Sequence, residues 1–205
     1  MSKKRYLENL EMPALPRLRV PSAASNHLAR LILLKEGPKT RRTFNLTISF
    51  LRLADFSALE YLRARSALSS FAAERAVNRF FEGICHLENC IVSMHRALLF
   101  MQQIRRLGLL THDGVPIVIR SKEWKVLCAQ DRLRKIRNSI QHLDGLILKG
   151  EEKIVFAVRP GEHGLELEDA LLPYSELCQW LVELSQLSKM LSSSKEIDAR
   201  SQRPG

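Results

Sequence analysis

The sequence lacks the features that mark several large classes of protein. Its four cysteines form no CxxC pair and are too sparse for a disulfide framework in 205 residues, so we expect reduced, mostly buried thiols. No apolar run approaches the roughly 20 residues of a membrane-spanning helix. No apolar stretch follows the basic N-terminus, and no glycine-rich phosphate-binding loop is present. We therefore expect a cytoplasmic protein that has no secretory signal and does not associate with a membrane.

The composition is that of a folded and basic chain. Hydrophobic residues make up 45% of the sequence, and chains of this length bury roughly 70% of their unfolded surface. The net charge of +10 is uneven, with ten basic and three acidic residues in 1–42 and nine against three in 105–137. Such a surface attracts polyanions, with an affinity that falls with salt. Excess charge also promotes solubility, so it does not by itself identify a partner.

Both ends of the chain differ in composition from its middle. Residues 1–42 combine prolines with basic residues and are predicted to form a basic, partly disordered N-terminal arm. A short helix is predicted within it over 26–36. Residues 192–205 are polar and predicted to be a disordered tail. The remaining residues, 43–191, are predicted to form one helical domain.

Apolar residues recur at helical spacing in four long segments of this domain. The predicted helices cover residues 43–70, 72–107, 121–142 and 175–191. The start of the first, TFNLTISFL, alternates between polar and apolar residues and also fits a β-strand. Ser69 or Ser70 is expected to separate the first two helices.

Two short segments before the last helix predict strands. KIVFAV and GLEL indicate a β-hairpin at about 153–167, with Pro160 and Gly161 in its turn. We therefore predict an all-α, up-down helical bundle with a small C-terminal β-hairpin.

A short polar motif in the third predicted helix gives the clearest indication of a chemical activity. On a helix, one polar arc of about 140° contains Arg137, Gln141, Asn138 and His142. The opposite side is apolar and contains Leu133, Ile136, Ile140 and Leu143. An anion held by the Arg137 guanidinium would lie within reach of the His142 imidazole, as phosphoryl-transfer chemistry near neutral pH requires.

The pattern Arg137-Asn138-x-x-x-His142 resembles the R-x4-6-H signature of the HEPN superfamily, helical-bundle proteins that include many metal-independent RNases. The resemblance is specific over the motif and extends more loosely over the helices of residues 44–190. It implies a HEPN-like fold and an endoribonuclease that leaves 2′,3′-cyclic phosphate and 5′-hydroxyl ends, as a toxin or phage-defence effector does. It also implies a homodimer in which two motifs face one cleft, with a cognate antitoxin or regulatory protein as a further partner.

In this interpretation RNA is the substrate and neither a metal nor a cofactor is expected. The predicted catalytic residues are Arg137, Asn138 and His142. Arg137 would clamp phosphate oxygens, His142 would act as base or acid, and Asn138 would orient the imidazole or contact the phosphate. Further side chains are predicted to contact RNA: Arg134, Lys135, Arg132, Gln141 and Lys125.

Two other interpretations remain open. The chain could be a non-catalytic HEPN-like module that binds nucleotide, RNA or protein, or a basic interaction bundle outside that superfamily. The motif also fits an ordinary solvated helix face. His86 and Cys90 are one helical turn apart, as two metal ligands would be, but His95 lies about 140° further round the helix. We therefore predict no metal site.

Overall fold

The protein is a mainly helical domain with two small sheets. The computed structural model describes residues 7–16, 40–108, 110–112, 115–116, 118–150, 157–167, 171–192 and 195–196. Its helices are α1 (Arg41–Glu74), α2 (Val77–Leu107), the single turn α3 (Lys125–Cys128), α4 (Gln130–Leu148) and α5 (Tyr174–Ser192). Helix accounts for 75% of the described residues, which confirms the mostly helical prediction. No helix within these ranges is both long and apolar enough to cross a bilayer.

α1 includes the segment for which a strand was the alternative prediction. Thr40 caps its N-terminus, since the hydroxyl oxygen accepts a hydrogen bond from the Thr43 N–H at 3.2 Å. The buried residues that follow are spaced three or four apart and include Thr47, Phe50 and Ala54. That spacing turns one side of a helix towards the core, so the strand alternative for TFNLTISFL is wrong.

The break between the first two helices lies later than predicted. α1 runs through Ser69 and Ser70, and it ends where Arg75 adopts a left-handed conformation with φ 59°. The Arg75 N–H donates to the Phe71 carbonyl oxygen at 2.8 Å, and its guanidinium lies 5.8 Å from the Phe71 ring centroid. These contacts stabilise a helix end that contains no glycine. α2 begins two residues later, so α1 and α2 form an antiparallel hairpin.

Part of the predicted N-terminal arm belongs to the core. Within residues 7–16, three apolar side chains are buried in it: Leu7, Met12 and Leu15. The Tyr61 hydroxyl donates to the Pro13 carbonyl oxygen at 2.9 Å, and Arg65 Nε donates to the Met12 carbonyl oxygen at 2.9 Å. These contacts hold the segment against α1. The helix predicted over 26–36 lies outside the described residues.

The single helix predicted from Ser121 to His142 is divided. A 3₁₀ turn covers Ser121–Glu123, α3 follows, and α4 starts only at Gln130. The start of α3 is held against α5, because the Val126 N–H donates to Glu183 Oε2 at 2.8 Å. α4 then continues beyond His142 to Leu148, so the motif lies well inside one helix.

The first small sheet has three antiparallel strands. They are β1 (Leu110–His112), β2 (Val115–Pro116) and β6 (Lys195–Glu196), with β1 in the centre. β6 falls within the tail predicted to be disordered. Lys195 pairs with Thr111 and Glu196 pairs with Leu110, so these two tail residues are part of the fold.

The second sheet contains a hairpin near the predicted position, with its first strand at Arg159–Pro160 and not within 157–158, and one more strand. β3 (Arg159–Pro160), β4 (Gly164–Glu166) and β5 (Leu171–Pro173) are antiparallel in that order. Pro160 pairs with Leu165, so it belongs to a strand and not to the turn as predicted. The turn consists of residues 161–163, while most of the predicted first strand lies outside the described residues.

Candidate functional site

α4 carries the sequence motif on a helix with one apolar and one polar side. Leu133 and Ile136 are buried in the core, and Ile140 is packed against it. Gln141 and His142 are exposed. The amphipathic arrangement predicted for this helix is therefore confirmed, and its polar side faces solvent.

Arg137 and Asn138 lie half-buried at the border between the two sides of α4. Arg137 Nη1 donates a hydrogen bond to Asn138 Oδ1 at 2.9 Å, which fixes the guanidinium relative to the helix. Arg137 Nε is buried and has no hydrogen-bond partner among the described residues. The half-buried guanidinium has further Nη donors beside the one that bonds to Asn138, and these keep the capacity to bind an oxyanion.

His142 lies one helical turn beyond Asn138 on the solvent side of α4. An exposed imidazole can reach a ligand that approaches from outside the subunit. A single subunit therefore offers a guanidinium, an amide and one accessible imidazole along this helix. That set can hold a phosphate and move one proton, whereas strand cleavage needs two proton transfers.

Three further side chains predicted to contact RNA stay accessible around this motif. Arg134, Lys135 and Gln141 are exposed. Arg134 Nη2 lies 3.2 Å from Asp131 Oδ1, and both side chains are well exposed to water. Such a surface ion pair is weak, so a phosphate can compete with Asp131 for this guanidinium.

Arg132 has a structural environment that its sequence position does not reveal. Its Nη1 donates to both carboxylate oxygens of Glu176 at 2.9 Å, and its Nη2 donates to the Leu171 carbonyl oxygen at 2.9 Å. The guanidinium also lies 5.9 Å from the centroid of the Trp180 ring. Arg132 therefore takes part in the packing of α4 against α5 and β5, and the RNA contact predicted for it stays a prediction. Lys125 is exposed and donates to Gln179 Oε1 at 3.2 Å.

His95, which the sequence suggested only as a possible metal ligand, lies near the motif. It is buried on α2, and neither ring nitrogen has a hydrogen-bond partner in the described part of the chain. Burial lowers the pKa of His95, and the nearby cations of Arg137 and then Arg134 lower it further. His95 is therefore a neutral imidazole facing the cationic border of α4. Sequence shows a histidine on α2 but not which helix it faces.

The His86, Cys90 and His95 combination does not assemble a metal site. His86 instead binds Glu60 of α1, with Nδ1 2.8 Å from Oε2. Cys90 is a fully buried thiol whose pKa is raised by burial. Among the described residues, no group of three or more His, Cys, Asp or Glu is arranged to hold a metal ion. None of the four cysteines forms a disulfide, and Cys85 and Cys128 are exposed, so the expectation of mostly buried thiols was wrong for these two.

Glu60 is a functional group that sequence reasoning missed. Its carboxylate is buried and accepts hydrogen bonds from Arg63, His86 and Asn89. Burial acts to raise the pKa of Glu60, but the bonds from His86 and Arg63 outweigh it and hold the pKa below its ordinary value. The spacing of Glu60 and Arg63 by three residues was the available signal. It could not identify His86 as the partner.

Comparison with known proteins leaves the family of this chain open. No protein-family model matches it, and searches of curated proteins and of solved structures find no match either.

Proposed function

We propose that this protein is a metal-independent endoribonuclease of the HEPN type. It cleaves RNA to a 2′,3′-cyclic phosphate and a 5′-hydroxyl, and acts in the cytoplasm. The observation that carries the proposal is the hydrogen bond from the half-buried Arg137 guanidinium to Asn138, one helical turn before an exposed His142. The excess of basic residues over 105–137 supports a polyanionic substrate.

The chemistry assigns a separate task to each side chain. His142 removes the proton from the ribose 2′-hydroxyl, whose oxygen attacks the adjacent phosphorus. The bond between phosphorus and the 5′-oxygen breaks, and that oxygen takes a proton from a second acid. Arg137 stabilises the charge on the phosphorane oxygens, and Asn138 keeps the guanidinium in place. Arg134, Lys135 and Gln141 contact the flanking backbone.

The second acid comes from a second copy of the chain. A two-fold axis beside α4 places two copies of His142 on opposite sides of one scissile phosphate, so that one acts as base and the other as acid. The same arrangement brings the guanidinium groups of both subunits together. Their mutual repulsion falls when an anionic backbone enters, so substrate binding and assembly support each other.

Cleavage in the presence of EDTA is the primary test. Wild-type protein should cut RNA with EDTA present and leave 2′,3′-cyclic phosphate ends. His142→Ala should lower the rate by at least about 100-fold, the usual contribution of a general acid or base. His163→Ala is the matched control, because His163 is also exposed and sits in the turn after β3. Equal losses for the two variants would contradict the assignment.

A subunit-mixing test addresses the shared site. Wild type that exchanges subunits with an equal amount of His142→Ala should lose about half of its activity, because a mixed dimer has only one imidazole in its cleft. Light scattering on the same samples should give twice the mass of one chain. A monomer with full activity would contradict the shared cleft.

A non-catalytic HEPN-like module that binds nucleotide, RNA or protein is the alternative function. It predicts RNA binding that persists in His142→Ala, together with intact RNA after incubation with wild type. A toxin or phage-defence role predicts growth arrest on expression, relieved by Arg137→Ala, and a cognate antitoxin or regulatory protein that suppresses it.

A further inference from the structure

A polar groove lies between α1 and α2 near the turn that joins them. It has a volume of about 420 Å³, within the range of pockets that bind small molecules. Its polar lining consists of Arg63, Ser66, Ser70, Arg79, Glu82 and His86. His86 and His95 are nine residues apart, which places them on opposite sides of α2 at about 100° per residue. The groove is therefore separate from the motif on α4.

The imidazole of His86 is held in a defined orientation at this groove. Glu60, whose side chain is only 2% exposed, accepts a hydrogen bond from His86 Nδ1 at 2.8 Å. An ionised carboxylate only accepts, so the proton of this contact belongs to Nδ1. Nε2, on the far side of the ring, lies 3.9 Å from Glu82 Oε1, too far for a hydrogen bond. Nε2 is therefore available to a ligand in the groove.

Two guanidinium groups flank the imidazole. Arg63 and Arg79 are each about half exposed, at 51% and 47% of their side chains. Each uses Nη1 for a carboxylate, Arg63 with Glu60 at 2.8 Å and Arg79 with Glu82 at 2.7 Å. A guanidinium has five N–H donors, so both retain donors for a planar, bidentate contact with an oxyanion. The hydroxyl groups of the lining serines add further donors.

Glu82 is the one carboxylate in the lining that an anionic ligand would meet. Its ion pair with Arg79 is solvent-exposed on both sides, and such pairs contribute little. A ligand with two negative charges can therefore replace Glu82 at Arg79. Glu60, by contrast, is buried behind His86 and saturated by three donors, so it orients the imidazole without facing the ligand.

The two helices pack closely beside the groove. Gly83 lies against Leu68, and a Cβ added at Gly83 would be 2.6 Å from both Leu68 Cγ and Cδ2. The absent side chain brings α1 and α2 together beside His86. Helix packing alone does not require hydrogen-bond donors to converge on an open groove, because apolar residues would pack this interface equally well.

We propose that this groove is a binding site for a small phosphate monoester. Arg63 and Arg79 bind the phosphate oxygens, and His86 Nε2 accepts a hydrogen bond from a hydroxyl of the ligand. The site is independent of the ribonuclease proposal, since no residue is shared between them.

The test uses the full-length protein with inorganic phosphate, adenosine 5′-monophosphate and adenosine as probes. Binding is followed by NMR of the histidine ring nitrogens, which separates His86 from His142. Both phosphate-bearing probes should shift the His86 Nε2 resonance in a saturable manner, and adenosine should not. Arg79→Gln should weaken binding by about tenfold, because one charged bidentate contact is lost.

Arg120→Gln is the matched control, since Arg120 and Glu123 form another exposed Arg–Glu pair three residues apart. This variant should bind the probes as wild type does. Three results would overturn the proposal: no saturable shift at His86 in the millimolar range, a response confined to His142, or equal weakening by both variants.

Discussion

Replacing His95 by leucine should make the protein more stable. The imidazole is 3% exposed, and both its nitrogens lack partners among the described residues. An unsatisfied buried polar group costs about 1–3 kcal/mol, and leucine fills a similar volume without polar atoms. We expect His95→Leu to raise the free energy of unfolding by about 1–2 kcal/mol. For a chain of this size that corresponds to a rise in Tm of about 2–8 °C.

The gain should depend on pH in a defined direction. Burial and the cations of Arg137 and Arg134 lower the pKa of His95 below 6.5, so the folded protein keeps this imidazole neutral. The unfolded chain takes up a proton there as the pH falls below about 6.5, so the wild type loses stability on acidification. His95→Leu lacks this loss. The difference in stability between variant and wild type should therefore be larger at about pH 5.5 than at about pH 8.

Urea denaturation followed by circular dichroism measures both effects. The matched control is His86→Leu on the same helix, which removes a donor from buried Glu60 and should lower stability by about 1–2 kcal/mol. If His95→Leu instead lowers stability by as much as the control does, His95 has a polar partner, such as a buried water bridging to Arg137, and the reasoning is refuted.

Three further substitutions probe the packing. Gly83→Ala should cost about 1–3 kcal/mol in urea titrations, because its Cβ would collide with Leu68; an unchanged midpoint would show that the helices separate freely. Gly164→Ala should lower the free energy of unfolding by about 3 kcal/mol, because its Cβ would lie 2.4 Å from a backbone carbonyl oxygen of β5. A variant as thermally stable as the wild type would contradict the strand pairing. Arg132→Ala should lower the free energy of unfolding by about 1 kcal/mol and leave RNA affinity unchanged, since Arg132 binds Glu176. A large loss of affinity would show that Arg132 contacts RNA.

The helical framework was largely predictable because periodicity is a local property. The spacing of apolar residues indicated four long helices. Three of them, α1, α2 and α5, lie close to the predicted positions, whereas α4 starts nine residues later than predicted because a 3₁₀ turn and α3 precede it. The boundary between α1 and α2 was misplaced because Arg75 adopts a positive φ without being glycine. Its contacts with Phe71, and not its own preference, hold that conformation.

The N-terminal segment shows where composition misleads. Prolines and basic residues in 1–42 indicated an arm outside the fold, yet residues 7–16 contribute three apolar side chains to the core. Such a segment has no periodicity of its own. Its place depends on contacts with α1 and with the turn between β3 and β4, including the bond from the Glu11 N–H to the Glu162 carbonyl oxygen at 2.8 Å.

The sequence by itself determined that one helix carries Arg137, Asn138 and His142 along a polar side opposite an apolar one, because the helical period depends only on residue order. Only the tertiary structure decided that Glu60 meets His86 across 26 positions and that His95 lies buried facing Arg137. The packing of the helices determines which residues from different helices become neighbours. The sequence alone leaves several possible partners for each residue on the inner side of a helix.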